Sequence, residues 1–142
     1  MVEFALVLPL LLLLVLAMAD FGKAFNYWID ATHLANEGAR LAAVNGTAGR
    51  CPNGTTPATL QSYIQCQATT SELRSAAQVE ICFPNGGTGV VGDPVRVKVR
   101  ATYNWLAFVA PHMPFAQATI TGTSYMRIEA PPPHSFTTAA CT

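Results

Sequence analysis

Met1-Val2-Glu3-Phe4-Ala5-Leu6-Val7-Leu8-Pro9-Leu10-Leu11-Leu12-Leu13-Leu14-Val15-Leu16-Ala17-Met18-Ala19-Asp20 opens the chain and holds an uncharged apolar run from Phe4 to Ala19, with a carboxylate just before it and another just after. A plain membrane anchor or signal peptide carries basic residues ahead of its apolar core, because positive charge stays on the cytoplasmic side. Here an acid, Glu3, stands in that place. A carboxylate beside hydrocarbon is costly unless a cation meets it, and a free N-terminal amine is the nearest candidate. Glu3 therefore implies apolar helices of several copies packed side by side. The run covers about 24 Å as a helix, short of the ~30 Å hydrocarbon core, so a lone anchor would have to thin the bilayer or extend to Phe21. Pro9 predicts a kink or a locally melted turn, which membrane helices tolerate.

The helix does not stop at Asp20. Phe21, Ala24, Phe25, Trp28, Thr32, Ala35, Ala39 and Ala42 recur at three- and four-residue spacing, with Lys23, Asn26, Asp30, His33, Glu37 and Arg40 opposite them. This predicts an inward face that is aromatic near Phe25 and Trp28 and alanine-lined near Ala35 to Ala43. Asn45-Gly46 supplies a stop. A continuous helix from Met1 to Val44 would be a rod of roughly 65 Å, greasy all round in its first half and one-sided in its second.

With 142 residues the chain has room for one modest domain besides the rod. Eight cations balance eight anions, which argues against nucleic acid as a partner. Gly46 to Pro57 reads as a loop, and Pro57 to about Arg74 as a short helix with Leu60, Tyr63, Ile64 and Leu73 as its apolar contacts. Three strands follow. Ala77 to Phe83 is a short β-type run, Pro94 to Trp105 alternates, and Ala118 to Ile128 is rich in threonine and β-branched residues. In the second strand Val95, Val97, Val99, Ala101 and Tyr103 would cover the alanine stripe of the rod, leaving Arg96, Lys98 and Arg100 toward water or a neighbouring subunit. The connection containing Trp105, Leu106, Phe108, Val109, Met113 and Phe115 is too greasy for an ordinary exposed loop and calls for cover by the rod or by a second copy.

Four cysteines, Cys51, Cys66, Cys82 and Cys141, all lie beyond the apolar run. An even count confined to the aqueous part of a membrane-tethered domain indicates two disulfides in an oxidising, extracytoplasmic compartment, and no zinc-ligand spacing competes. In an antiparallel meander the first and third strands end along one edge, which brings Cys82 toward the tail carrying Cys141. The pairing this favours is Cys51 with Cys66 and Cys82 with Cys141, each contributing about 3 to 4 kcal/mol by loop closure.

Val2-Glu3-Phe4-Ala5-Leu6-Val7-Leu8-Pro9-Leu10, then Asp20-Phe21-Gly22, then Ala35-Asn36-Glu37-Gly38-Ala39-Arg40-Leu41-Ala42-Ala43, resembles the TadE-like pilin family of tight-adherence pilus systems, a branch of the type IV pilin superfamily. Ala118-Thr119-Ile120-Thr121-Gly122-Thr123-Ser124-Tyr125-Met126-Arg127-Ile128-Glu129 is similar to that family's final strand, after an apolar connection like Pro111 to Pro114. The resemblance implies a pilin-like α+β fold: a long N-terminal helix packed on a small antiparallel sheet of three to four strands. It divides the chain into a transmembrane and filament-core helix over 1–20, its amphipathic continuation over 21–45, and an extracytoplasmic domain over 46–142. It implies a precursor cut by a prepilin peptidase after a glycine, with the acid five residues past the cut, whereas Glu3 stands third here. Its expected partners are identical or homologous pilin subunits, the inner membrane before assembly, and the pilus assembly machinery, with a surface filament or fimbrium for cell adhesion as the product. Glu3, Phe4, Leu6, Pro9 and Leu10 are the expected assembly residues.

Enzymatic chemistry has no support. His33, His112 and His134 are scattered, with His33 expected on the polar helix face and His112 at a loop tip, and no nucleophile elbow, paired acids or phosphate loop occurs. No cofactor or metal is expected. Asn45-Gly46-Thr47 and Asn53-Gly54-Thr55 fit the Asn-glycosylation pattern. Two functions stay open: a structural subunit that polymerises into the filament, and a minor membrane-held pilin that primes assembly or displays a binding ectodomain.

Overall fold

The computed structural model describes residues 2–105, 117–134, 136–139 and 141. Helix α1 runs without a break from Val2 to Ala43, 42 residues or about 63 Å. It passes through Pro9 as helix, so of the kink or melted turn that the sequence predicts, the melted turn is not formed. Proline removes a single backbone donor, and the bonds above and below hold the turn. At the other end Gly46 N–H donates to the Leu41 carbonyl (2.8 Å) and Asn45 N–H to that of Ala42 (3.3 Å), with Asn45 at φ +51°. That is a Schellman stop with asparagine as the left-handed residue.

The expected short helix is two helices, α2 (Leu60–Cys66) and α3 (Ser71–Ala76). Thr59 caps the first by accepting from Ser62 N–H, and Thr70 starts the second by accepting from Leu73 N–H. Between them Thr69 N–H donates to the Asp30 carboxylate of α1 at 2.9 Å, which fixes the break against the rod. Strands β1 (Gln78–Cys82), β2 (Pro94–Asn104) and β3 (Gln117–Arg127) form an antiparallel sheet in that order, and the fold is α+β. The residues Leu106 to Phe115, including the apolar connection beyond Trp105, lie outside the described residues.

The inner face of β2 is Val95, Val97, Val99, Ala101 and Tyr103, all buried against the second half of α1. Most of the buried helix residues are small, with Tyr27, edge-on to Tyr103 of β2, and Leu34 as the large ones. Ala24, Ala35, Ala39 and Ala42 of the expected face are buried, as is Ala31, while the expected aromatic part, Phe21, Phe25 and Trp28, is exposed, so the inward face is rotated from the expected one along its aromatic stretch. The closest approach explains the rotation. A Cβ on Gly122 of β3 would lie 2.3 Å from the Ala31 carbonyl oxygen, so strand and helix backbones touch where an aromatic side chain could not fit.

On the outer face Glu80 of β1 sits opposite Lys98 and binds Arg96 at 2.8 Å and Arg100 at 3.3 Å. The basic row is therefore a partly buried ion-pair cluster within the sheet, where the sequence reads it as a face toward water or a neighbour. One acid between two guanidinium groups offsets their repulsion and satisfies donors that the sheet half covers.

The tail after β3 returns over the β1 edge: Glu129 N–H donates to the Ala43 carbonyl (2.8 Å), Ala139 N–H to that of Ile81 (3.0 Å), and Phe136 is buried. Disulfides join Cys51 to Cys66 and Cys82 to Cys141, at sequence separations of 15 and 59. Loop closure assigns about 3 kcal/mol to the first and about 4 kcal/mol to the second. Thermal unfolding should accordingly show a larger loss of Tm for Cys82→Ser/Cys141→Ser than for Cys51→Ser/Cys66→Ser. Equal losses would mean that the tail is held by its packing and that the cross-link adds little.

Candidate functional site

From Phe4 to Val15 every described side chain of α1 is exposed; Phe4 is 71 % exposed, Leu6 77 % and Leu10 70 %. Pro9 lies on the same bare length. Such a surface is stable only in lipid or against other apolar helices. Helix α1 is long and apolar enough to cross a membrane. The backbone of Glu3 belongs to α1, whereas its carboxylate lies outside the described side chains.

The folded domain begins at Leu16, the first half-buried residue among the described side chains of the helix, and locks on at Asp20. Asp20 is 9 % exposed, and the Tyr103 hydroxyl at the end of β2 donates to its Oδ1 at 2.5 Å while also lying 3.2 Å from its backbone carbonyl. Around this lock the rings of Tyr27, Tyr103, Trp105 and Phe21 follow one another at centroid distances of 5.3, 5.2 and 6.5 Å. A cleft of about 490 Å³ opens beside it, lined by Lys23, Tyr27, Glu72 and Asn104 among others. There Tyr27 donates to Glu72, and Lys23 meets the same carboxylate at 3.2 Å. The Tyr27 hydrogen bond, then Lys23, holds the Glu72 carboxyl below its ordinary range.

Burial, then the hydrogen bond to Asp20, raises the Tyr103 phenol well above the usual tyrosine range. A raised folded value means that the neutral phenol is favoured by folding, so this contribution is complete below pH ~10 and lost as pH rises beyond it. Tyr103→Phe leaves the Asp20 carboxylate buried without that donor and should cost about 2 to 3 kcal/mol at neutral pH. Thermal melts should show the gap between wild type and Tyr103→Phe closing above pH 10. A gap constant to pH 12 would mean that ring packing, and not the hydroxyl, holds the junction.

Sequence reasoning finds the bare helix and misses the lock, because a lone Asp after an apolar run looks like a solvated terminus. The cue is Tyr103, a hydroxyl on a strand face that is otherwise valine and alanine. The two Asn-Gly-Thr sites differ in surroundings. Asn45 is half-buried and its amide donates to the Pro133 carbonyl at 2.9 Å, whereas Asn53 is exposed, its Oδ1 accepting from Thr55 N–H (3.2 Å) and hydroxyl (2.7 Å). His33 is exposed on α1, His134 lies 2.6 Å from the Gly89 carbonyl by its Nε2, and His112 lies outside the described residues.

Residues 1–40, which span the bare helix and its junction, match the family described as TadE-like protein. No curated protein and no solved structure matches the chain.

Proposed function

We propose that this chain is a structural pilin subunit that polymerises through α1 into an extracellular, Tad-like type IV pilus filament. The observation that carries the proposal is the division of one unbroken helix into a bare apolar half and a half that forms the spine of a disulfide-stapled domain. The TadE-like match covers both sides of that division.

The physical cycle is as follows. A prepilin peptidase frees the N-terminus, and the subunit waits in the inner membrane on Phe4 to Ala19. On extraction, that surface exchanges lipid for the same surface of other copies, so its burial is kept and the transfer cost stays small. Glu3 meets the terminal ammonium of a neighbour and selects the axial register, since a mismatched pair leaves a charge uncompensated in low dielectric. Repeated head-to-tail contacts that do not close give an open helical filament on the cell surface. Catalysis has no part in this cycle.

Filaments sheared from producing cells, imaged by negative stain and digested for peptide identification, test the assignment. The chain should be their main component. Finding it only in trace, or only in the membrane fraction, would favour a minor pilin that primes assembly or displays its ectodomain.

A further inference from the structure

Four exposed side chains of the ordered junction lie beyond the apolar run: Phe21 is 64 % exposed, Phe25 52 %, Trp28 49 % and Ile29 49 %. They continue the line of Leu11, Leu14 and Met18 at three- and four-residue steps, so one stripe runs unbroken from the bare half of α1 into its second half. Helical turning of about 100° per residue places this stripe opposite Asp20, Lys23, Tyr27 and Asp30, the side where the ectodomain and the polar residues begin. The apolar surface of α1 therefore ends at different heights on its two sides. On the ectodomain side it ends at Ala19, about 24 Å from Phe4, short of a ~30 Å hydrocarbon core. Along the stripe it ends at Ile29, about 39 Å from Phe4, where Thr32 bonds back to the Trp28 carbonyl and Asn36 is exposed.

We infer that, before assembly, Phe21, Phe25, Trp28 and Ile29 lie in the lipid interface of the extracytoplasmic leaflet, with α1 tilted toward this stripe and the ectodomain held on its upper side. The inference rests on the membrane stage of the proposed function. A boundary slanted across one helix is what a tilted crossing needs, and tilt direction is set by interfacial anchors of this kind. Aromatic rings at the upper end of the stripe fit the headgroup zone. Asp20, Tyr27 and Ala31, which the described domain buries, lie on the opposite side of α1; at the lower end of the stripe Phe21 stacks on Trp105 at 6.5 Å, and all four stripe side chains keep about half or more of their surface exposed. Tilting also removes the length mismatch of the short side, because lipid covers the long side while Asp20 and Lys23 leave the hydrocarbon a turn or more earlier.

Trp28 and Trp105 are the two tryptophans, so Trp105→Phe makes Trp28 the sole emitter. The full chain is placed at low density in phosphatidylcholine and phosphatidylglycerol vesicles, with lipids brominated near the top or near the end of the acyl chain. Trp28 emission should be blue-shifted, strongly quenched by the shallow bromines, weakly by the deep ones, and protected from iodide. Should Trp105→Phe unfold by circular dichroism, wild type is compared with Trp28→Phe, and the shallow quenching must disappear in the latter. Emission that iodide quenches and bromolipids do not would overturn the inference, as would blue-shifted emission that no bromine reaches, the signature of cover by protein. A chain retained through alkaline carbonate but giving either result loses this inference alone. A chain that carbonate releases loses the membrane stage and the inference together.

Discussion

Cells producing Glu3→Ala should make no filaments, while the variant still inserts in the membrane and folds its ectodomain. The acid lies just ahead of the apolar run, far along α1 from the domain that begins at Leu16, so its removal takes nothing from that domain's own packing. Its cost falls on the contact between copies. A terminal ammonium left in low dielectric without its carboxylate is penalised by about 3 to 5 kcal/mol, which is roughly a hundredfold or more for each contact along the filament. Glu3→Lys, which adds repulsion, should be no better. Membrane fractionation and imaging of the same cells separate the steps, and abundant normal filaments from Glu3→Ala would remove charge pairing from the mechanism.

Gly122→Ala should be the most damaging single methyl in the domain. Its Cβ would meet the Ala31 carbonyl oxygen at 2.3 Å and the Thr32 backbone nitrogen at 2.6 Å, and neither can move without displacing α1 from the sheet. Overpacking a core typically costs about 1 to 3 kcal/mol, and a clash with helix backbone, which cannot turn aside, belongs at or above the top of that range. Gly38→Ala is the comparison. Its Cβ would meet the end of the Ile64 side chain at 2.5 Å, and a side chain can turn aside. Denaturant melts of the two variants should give a loss at least twice as large for Gly122→Ala. Equal losses would show that β3 can retreat from the helix, and that the small-residue stripe is not what sets its distance.

That distance is also where the sequence ceases to be legible. The strands can be read because a half-buried strand alternates with a period of two, and Val95, Val97 and Val99 alternate with Arg96, Lys98 and Arg100. The rod can be read because its apolar run and its Asn45-Gly46 stop are local features. Cys82 and Cys141 can be paired because a meander brings their elements to one edge. The rotation of α1 cannot, since Phe25 and Ala24 are both apolar and hydropathy does not say which one a sheet can approach. Only the packing partner decides, and a glycine on β3 admits nothing larger than alanine opposite. The restart of the helix at Thr70 was hidden by its shortness, and the pairing of Glu80 with Arg96 and Arg100 by the need to know the register of β1 on β2.

The tilt and the filament place different demands on one surface. On the proposed cycle the stripe from Leu11 to Ile29 would meet lipid before assembly, and in the filament those positions would face other copies or water. A helix that presents leucine and aromatic side chains, with little shape of its own at the tip of the run, can exchange one apolar environment for the other at small cost. The hydrogen-bonded junction of Asp20 and Tyr103 would then keep the domain attached to α1 through the exchange.

Helical reconstruction of the purified filaments, at a resolution that separates α-helices, addresses polymerisation through α1 most directly. The density should show the Phe4 to Ala19 segments bundled along the axis, with the sheet and its two disulfides outside. A filament whose axis is built from ectodomains, with the apolar helices absent from its centre, would contradict it.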